Sequence, residues 1–406
     1  MRSLIGRIAV FALVPVVSAV ASLVAIPAVT ERYGLDGWAA VAVGLSVGMG
    51  LSVLGELGWA LDGPVRVARA GERSRVTTFR LALALKTMLL PLTVPLSGLV
   101  AALLAPAFPV EAAVTAVAGA LLGLSMSWYF IGIGRPALIL LTDSTPKLAA
   151  AGVAALAIHA GAPLIVYGVS LLVANLLSPV VACTLVTGRP YPRVRLTARR
   201  SWAGIRAQMV ALRGRAASAV YIALPVALVA LVAPGAVATF AAIERLQRML
   251  LALLAAIPSA FLHWATRDVR ARERSDRVTI AIVANAALGL LAGGLWIVVA
   301  PVAAHIVFAG ELALPGEVLV MSAVVVALTC ASRAVGGIAL VAYRSVGSVS
   351  NSAIAGAAVG VTAILVAARA LGTFGALVGE ALAEAVVLGW QLLALRRVAR
   401  RRVAQG

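Results

Sequence analysis

Long apolar runs recur along this chain, each about as long as the roughly 20 residues that a helix needs to cross the hydrocarbon core of a bilayer. Short polar segments, most of them with arginine, separate one run from the next. Of the 406 residues, 62% are hydrophobic and 12% are charged. Soluble domains are about 45–50% apolar, and a water-soluble fold cannot hide this much additional apolar surface. The pattern therefore predicts an all-α integral membrane protein.

The apolar runs predict about 12 transmembrane helices. Only 5% of the residues are aromatic and 37 are glycine, a composition that favours close packing of helices through small side chains. The predicted spans are residues 8–30, 38–61, 81–104, 111–133, 146–161, 163–187, 216–233, 237–263, 278–304, 317–342, 350–369 and 372–395.

The distribution of basic residues predicts the orientation. If the amino terminus is cytoplasmic, the segments on that side contain 28 of the 34 lysines and arginines, whereas the opposite loops contain only Arg32 and Arg369. Lysine and arginine are concentrated on the cytoplasmic side of membrane proteins, so both termini are predicted to be cytoplasmic. This topology accounts for the net charge of +19, and nucleic acid is therefore not a predicted partner.

The longest polar connection divides the predicted helices into two equal sets. We expect a first six-helix lobe at residues 1–190, a basic cytoplasmic linker at 191–215, a second six-helix lobe at 216–395 and a basic cytoplasmic tail at 396–406. With six spans in each set, both lobes enter the membrane from the same side and would be parallel repeats.

Charged side chains within the eighth predicted span are the strongest candidates for a binding site, because ionised groups at membrane depth are costly. Glu244 and Arg248 are four residues apart and can pair across one helical turn. Arg245 and Arg248 lie roughly 12 and 17 Å along the helix, close to the middle of the membrane. The cluster is either an ion pair that holds helices together or a cationic site for a pyrophosphate or acidic sugar, to which arginine is suited.

Four further charged residues lie in other spans. Arg333 in the tenth span and Glu380 and Glu384 in the twelfth are either a buried structural network or a site for proton or cation coupling. Lys86 lies within two turns of the cytoplasmic end of the third span, where its side chain can snorkel to the surface. Tryptophans near span ends are predicted to be interfacial anchors: Trp38, Trp59, Trp128, Trp202 and Trp264.

The sequence contains no recognisable catalytic or metal-binding pattern. Cys183 and Cys330 lie in apolar stretches, where a disulfide framework or a metal cluster is not expected. The three histidines lack metal-ligand spacing, and no glycine-rich phosphate loop with lysine is present. We therefore predict no cofactor and no enzymatic activity.

Several motifs occur in order along the first part of the chain. A proline-bearing first helix ends in a short turn, a Gly-Trp pair begins the second helix, and an acidic-Leu-Gly element lies near its end. The residues of these motifs are Pro27, Thr30, Arg32, Tyr33, Gly34, Gly37, Trp38, Glu56, Leu57 and Gly58. In this order they resemble the opening of the Wzx-type polysaccharide exporters. The resemblance continues at residues 128–132, which resemble the end of the family's fourth helix, and at 238–258 and 372–384, which resemble its eighth and twelfth helices.

This resemblance implies the multidrug/oligosaccharidyl-lipid/polysaccharide (MOP) flippase fold, in which two six-helix lobes flank a central cavity that opens alternately to each face. It also implies that helices one, two, seven and eight line the cavity, which would place Arg32 and Glu56 opposite Glu244, Arg245 and Arg248 as substrate-binding residues. The implied function is transport of a polyprenyl-pyrophosphate-linked oligosaccharide across the cytoplasmic membrane of a bacterium. A polysaccharide polymerase and glycosyltransferases are the implied partners.

Two other functions are considered. A proton- or cation-coupled multidrug or metabolite antiporter of the same fold would use intramembrane carboxylates, for which Glu56, Glu380 and Glu384 are available. A membrane-embedded glycosyl- or acyltransferase would need clustered acids or histidines at an interface and a sizeable loop. Asp62, Asp143 and Asp268 form no recognisable pair, so this function is the least favoured.

Overall fold

The computed structural model describes residues 23–191, 201–209, 212, 223–255, 257–258, 261, 271–343 and 345–403. Within these residues the chain is helical and contains no strand. The helices are α1 (Ile26–Glu56), α2 (Trp59–Arg69), α3 (Glu72–Met88), α4 (Leu90–Leu104), α5 (Pro109–Ala120), α6 (Ser127–Gly132), α7 (Ala137–Ile139), α8 (Thr145–His159), α9 (Ile165–Thr187), α10 (Pro225–Val232), α11 (Val237–Leu254), α12 (Ala271–Val307), α13 (Gly316–Ala334) and α14 (Val346–Val403).

The described residues form two compact units. Unit 1 contains those up to Ala230 together with Val307–Glu311, and unit 2 contains those from Leu231 to Ile306 and from Leu312 onward. Short irregular helices interrupt each unit. Unit 1 contains a 3-10 turn at Leu121–Leu124 and a π-helix at Leu140–Ser144, and unit 2 contains a π-helix at Val335–Leu340.

Small residues bring α1 and α5 together in unit 1. A Cβ added at Gly44 would lie 2.8 Å from the Cβ of Thr115, and one added at Gly48 would lie 2.8 Å from the Cα of Gly119. The contacts advance by four residues on both helices, so α1 and α5 run parallel here. Lipid supplies little hydrophobic force between helices, and close backbone approach of this kind is what stabilises their association.

Aromatic residues pack in the interior of unit 1. The rings of Trp59 and Trp128 stack with centroids 5.1 Å apart, and the ring of Phe79 meets Tyr129 edge-on at 4.9 Å. Trp38, at 1% exposed, packs against Phe308. These tryptophans are core residues, so the prediction that they are interfacial anchors was wrong: each lies near a span end but faces neighbouring helices.

The remaining two tryptophans differ from these. Trp202 is 66% exposed, as an anchor residue would be, whereas Trp264 lies outside the described residues.

Pro91 and Pro95 lie in α4, and α3 and α4 meet at an angle of 45°. Proline removes a backbone hydrogen bond, which accounts for the bend within the predicted span at 81–104.

Glycines in the left-handed region mark two sharp turns within long helical ranges. Gly34 in α1 has φ +64° and Gly372 in α14 has φ +57°. In α14 a Cβ at Gly379 would lie 2.6 Å from the backbone nitrogen of Ile364, and one at Gly356 would lie 3.3 Å from the carbonyl oxygen of Ala383. Both pairs are centred on the turn, so α14 is an antiparallel hairpin, with one limb at 346–371 and the other at 373–403.

Six helices in the described part of the chain are long and apolar enough to cross a membrane, or seven if the bent pair α3 and α4 is one span. With the α14 hairpin counted as two limbs, these ranges contain eight of the predicted spans. The fifth predicted span corresponds to α8, with 15 residues, and the eighth to α11, which carries three charged residues. The first and seventh lie partly outside the described residues, and the total of twelve stays a prediction.

Candidate functional site

The Glu244 and Arg248 side chains form the centre of a charged cluster in unit 2. The Nε of Arg248 donates to Oε1 of Glu244 at 2.9 Å, and its Nη2 contacts the same oxygen. The Glu244 side chain is 10% exposed and that of Arg248 is 34% exposed. The predicted pairing across one turn is confirmed. The buried Glu244 carboxylate orients the Arg248 guanidinium, and a third of the Arg248 side-chain surface remains exposed.

Hydrogen bonds between uncharged side chains connect α11 to its neighbours at Gln247, the residue before Arg248. The Ser322 hydroxyl on α13 donates to Oε1 of Gln247 at 2.8 Å and accepts from the indole nitrogen of Trp296 on α12 at 2.9 Å. All three side chains are buried. Buried polar networks with every member satisfied hold one arrangement of helices, so this network sets the position from which Arg248 projects.

Two further contacts connect α13 to the same cluster. Nη1 of Arg333 donates to the carbonyl oxygen of Leu251 on α11 at 2.8 Å, and the Ser332 hydroxyl donates to Oε2 of Glu384 on α14 at 2.8 Å. Arg333 and Ser332 are adjacent on α13, and they connect this helix to α11 and to α14, respectively. Both interactions occur within spans, where few alternative partners exist for a polar group.

Glu380 completes the cluster from the second limb of α14. The residue is 8% exposed, and its Oε2 has no hydrogen-bond partner among the described residues. Its carboxyl group interacts electrostatically with both Glu244 and Arg248. Sequence analysis placed the α11 residues and the Arg333, Glu380 and Glu384 network in two separate groups, whereas the structure brings them into one. Arg245 follows Glu244 on α11 with a partly buried side chain.

Lys86 is a buried cation in unit 1. Its side chain is fully buried, and its Nζ donates to the carbonyl oxygen of Ser125 at 2.7 Å. That carbonyl lies in the break between the 3-10 turn and α6. Glu56 at the end of α1 is within electrostatic range of Lys86. The interpretation that Lys86 snorkels to the surface was wrong, because the Ser125 carbonyl inside the unit supplies its ammonium group with an acceptor.

Arg32 binds at the other end of α1. Its Nη2 donates to the carbonyl oxygen of Gly161 at 3.1 Å, and the neighbouring Tyr33 hydroxyl donates to that of Ala162 at 2.8 Å. Arg32 and Glu56 are 24 residues apart, with a turn at Gly34, and the helix from there to Glu56 is about 33 Å long at 1.5 Å per residue. They therefore lie at opposite ends of α1. Their location opposite the unit 2 cluster stays a prediction.

Several polar contacts of unit 1 were not predicted from the sequence. Asp143, in the π-helix of unit 1, accepts from Lys147 at 2.8 Å and from Ser178 at 3.3 Å, and Asn175 donates to the Ala118 carbonyl at 2.8 Å. An isolated amide or hydroxyl in an apolar span is the signal that could have found Asn175 and Ser178. Within the described residues, no three His, Cys, Asp or Glu side chains are grouped to hold a metal ion.

Comparison with known proteins gives structural matches only. No protein-family model and no curated protein sequence matches the chain. The lipid II flippase MurJ in an inward closed conformation matches with a TM-score of 0.68 and 10% identity, over 97% of this chain and 87% of that one. An inward-facing multidrug resistance MATE family transporter of the MOP superfamily matches with a TM-score of 0.62 and 14% identity, over 96% and 99%.

A second MATE structure, in a bent conformation, matches with a TM-score of 0.56 and 16% identity, over 97% of this chain and 94% of that one. At these identities the likeness shows the fold alone. The MOP fold implied by the sequence motifs is confirmed, and the finer resemblance to Wzx-type exporters stays a prediction. The chain is a multi-pass membrane protein with the fold that the MOP superfamily transporters share.

Proposed function

We propose that this protein is a flippase that moves a polyprenyl-pyrophosphate-linked oligosaccharide across the cytoplasmic membrane of a bacterium, for the biosynthesis of a surface polysaccharide. The fold supports the proposal, since one protein that shares it is named as a flippase of lipid II. The two predicted lobes would open alternately to the two faces of the membrane. Glycosyltransferases would supply the substrate and a polymerase would receive it.

The observation that carries the proposal is the exposed part of Arg248. Guanidinium has five N–H donors, of which Nε and one group on Nη2 point to Glu244. The others make no hydrogen bond within the described residues, where Glu380 interacts with the guanidinium electrostatically, and they can donate to a ligand. Arginine binds phosphate oxygens in pairs, and a guanidinium already oriented by a carboxylate loses little further side-chain freedom on binding. A mobile pyrophosphate headgroup fits such a donor set better than an uncharged sugar does.

In this mechanism Arg248 binds the pyrophosphate, and Glu244 positions it. Arg245 is proposed to add a second positive charge one residue away, and Arg32 and Glu56 are proposed to line the same pathway from α1. The chain's own contribution is to hold these charges in a membrane environment, where ion pairing is stronger than in water. The hydrogen-bonded chain through Gln247 keeps α11 in place while the substrate passes.

The test is translocation of a labelled polyprenyl-pyrophosphate oligosaccharide in proteoliposomes. Removal of Arg248 alone would leave Glu244 buried and unpaired, so the variant to use is Glu244→Gln/Arg248→Gln, which removes both charges. The matched control is Asp62→Asn/Arg66→Gln, which removes an exposed pair of the same spacing from α2. We expect the first variant to lose translocation by tenfold or more and the control to keep it, as one charged phosphate contact is worth roughly 1.5–3 kcal/mol.

Two results would reject the proposal. If the wild-type protein moves none of this lipid, it is not a flippase for that substrate class. If the wild type moves the lipid and the Glu244→Gln/Arg248→Gln variant moves it at the same rate, the cluster is structural and the substrate binds elsewhere.

A second function, a proton- or cation-coupled antiporter, is favoured by Glu380. A buried carboxylate oxygen without a hydrogen-bond partner among the described residues is a place where a proton or a small cation can bind. In this case Glu380→Gln would abolish efflux of a cationic dye driven by a proton or sodium gradient. Absence of gradient-driven dye efflux by the wild-type protein would exclude this alternative for the dye tested.

A further inference from the structure

Helix α2 has three distinct faces. Trp59, Gly63 and Val67 are buried in unit 1. Leu61 and Val65 are spaced by four residues on a second face, where they are 53% and 52% exposed. Arg66 and Arg69 lie on the third face, together with Asp62. Two exposed faces, one apolar and one basic, are typical of a helix that lies at the boundary between lipid headgroups and acyl chains.

The arginines around α2 divide into bound and unbound groups. Arg66 pairs with Asp62 at 2.8 Å. Arg75 donates to the carbonyl oxygens of Val67 and Ala68, which lie at the end of α2. Arg69 and Arg73, one on each side of the turn between α2 and α3, are both exposed, and in the described part of the chain their guanidinium groups have no hydrogen bond or ion pair. Two charges are therefore available to an external partner.

A second segment extends this surface. In helical residues 201–209, Trp202 and Arg206 are exposed and four residues apart, so they are neighbours on one face. With its amide oriented to satisfy both neighbours, Gln208 donates to the carbonyl oxygen of Leu57 and to Oδ1 of Asp62 at 3.2 Å. The segment thus packs beside the start of α2. An exposed tryptophan beside an arginine is the usual composition of an interfacial anchor.

We propose that α2 and residues 201–209 form a binding surface for anionic phospholipid headgroups of the leaflet they face. Arg69, Arg73 and Arg206 bind the headgroup phosphates, while Leu61 and Val65 enter the acyl-chain region. The combination of unpaired basic groups with exposed apolar side chains matches a charged lipid, whereas a soluble anion would use the charges alone. The surface belongs to unit 1 and is independent of what the unit 2 cluster transports.

The test is binding of phosphatidylglycerol and phosphatidylcholine to the purified full-length protein, measured by native mass spectrometry over a lipid titration. We expect Arg69→Gln/Arg73→Gln to weaken phosphatidylglycerol binding about 25-fold at low salt, about fivefold for each arginine. Arg69→Lys/Arg73→Lys should bind as the wild type does, because it keeps both charges. The matched control is Arg396→Gln/Arg397→Gln, which removes two exposed arginines of α14.

A second variant and a salt titration separate the causes. Leu61→Gln/Val65→Gln should weaken binding of phosphatidylglycerol. The decrease in affinity with rising salt concentration should stay as in the wild type, because the charges are unchanged. Equal losses in the Arg69/Arg73 variant and in the Arg396/Arg397 control would show that total charge governs binding, and would overturn the proposal. Equal binding of phosphatidylcholine and phosphatidylglycerol by the wild type would overturn it as well, and this measurement does not depend on the folding of any variant.

Discussion

One methyl group added at Gly379 should force the two limbs of α14 apart. The new Cβ would lie 2.6 Å from the backbone nitrogen of Ile364 and 2.8 Å from its Cα. Optimal non-bonded contact is about 3.5 Å or more, so the backbones must separate by roughly 0.9 Å. A side chain can change its rotamer to relieve such a clash, but a backbone atom cannot. Overpacking of this kind costs about 1–3 kcal/mol.

The same helix offers a matched control at Gly389. A Cβ at that position meets nothing within 4 Å, so Gly389→Ala adds only the helix preference of alanine, about 1 kcal/mol in favour of the folded state. The two substitutions are chemically identical and lie in one limb. Both substitutions gain this preference, so Gly379→Ala should be less stable than Gly389→Ala by the overpacking cost alone, about 1–3 kcal/mol, or roughly 2–12 °C in the melting temperature of a unit of this size.

The buried cysteines provide the assay. Cys183 in unit 1 and Cys330 in unit 2 are both free and buried, so a thiol-reactive fluorescent dye labels each only as its unit unfolds. In a Cys183→Ser background the signal on heating comes from Cys330 alone, on the helix that packs against α14. A melting temperature for Gly379→Ala equal to or above that of Gly389→Ala would refute the close approach of the two limbs.

Three other substitutions test the polar contacts. Arg248→Gln should destabilise unit 2 by about 3–5 kcal/mol because it leaves a buried carboxylate unpaired, and Glu244→Gln/Arg248→Gln should recover most of this loss in the Cys330 labelling assay. Asn175→Ala should cost unit 1 about 1–3 kcal/mol by leaving a buried carbonyl unsatisfied, measured by Cys183 labelling in a Cys330→Ser background. Ser322→Ala should cost unit 2 about the same, since both its hydrogen-bond partners are buried, and an unchanged melting temperature would contradict the connection of α11 to α12.

The length of the apolar runs located most of the membrane helices, because a helix that crosses the hydrocarbon core needs about 20 apolar residues. The turn at Gly372 coincides with the first residue of the predicted span at 372–395, next to the predicted break after residue 369, and a glycine there permits the left-handed backbone that reverses the chain. The Glu244 and Arg248 pair was equally predictable, because its spacing places both side chains on one helix face. Features encoded within one helix were therefore accessible from the sequence.

Contacts between distant helices were not accessible in this way. Ser332 and Glu384 are 52 residues apart, and no local pattern relates them. Lys86 was judged by its depth along its own helix, whereas its acceptor is a carbonyl in a break of another segment. Trp59 and Trp128 lie near span ends, yet they stack on each other because α2 returns to the core. Each error comes from treating a helix as if lipid were its only neighbour.

The hairpin form of α14 has a consequence for how the chain enters the membrane. The second limb carries Glu380 and Glu384, which oppose insertion of that limb by itself, whereas the first limb contains a single charged residue near its end, Arg369. The turn at Gly372 and the close glycine contacts allow both limbs to leave the translocon together as one unit. During biogenesis, the apolar first limb would then carry the two glutamates of the second limb into the bilayer before α11 and α13 become their partners.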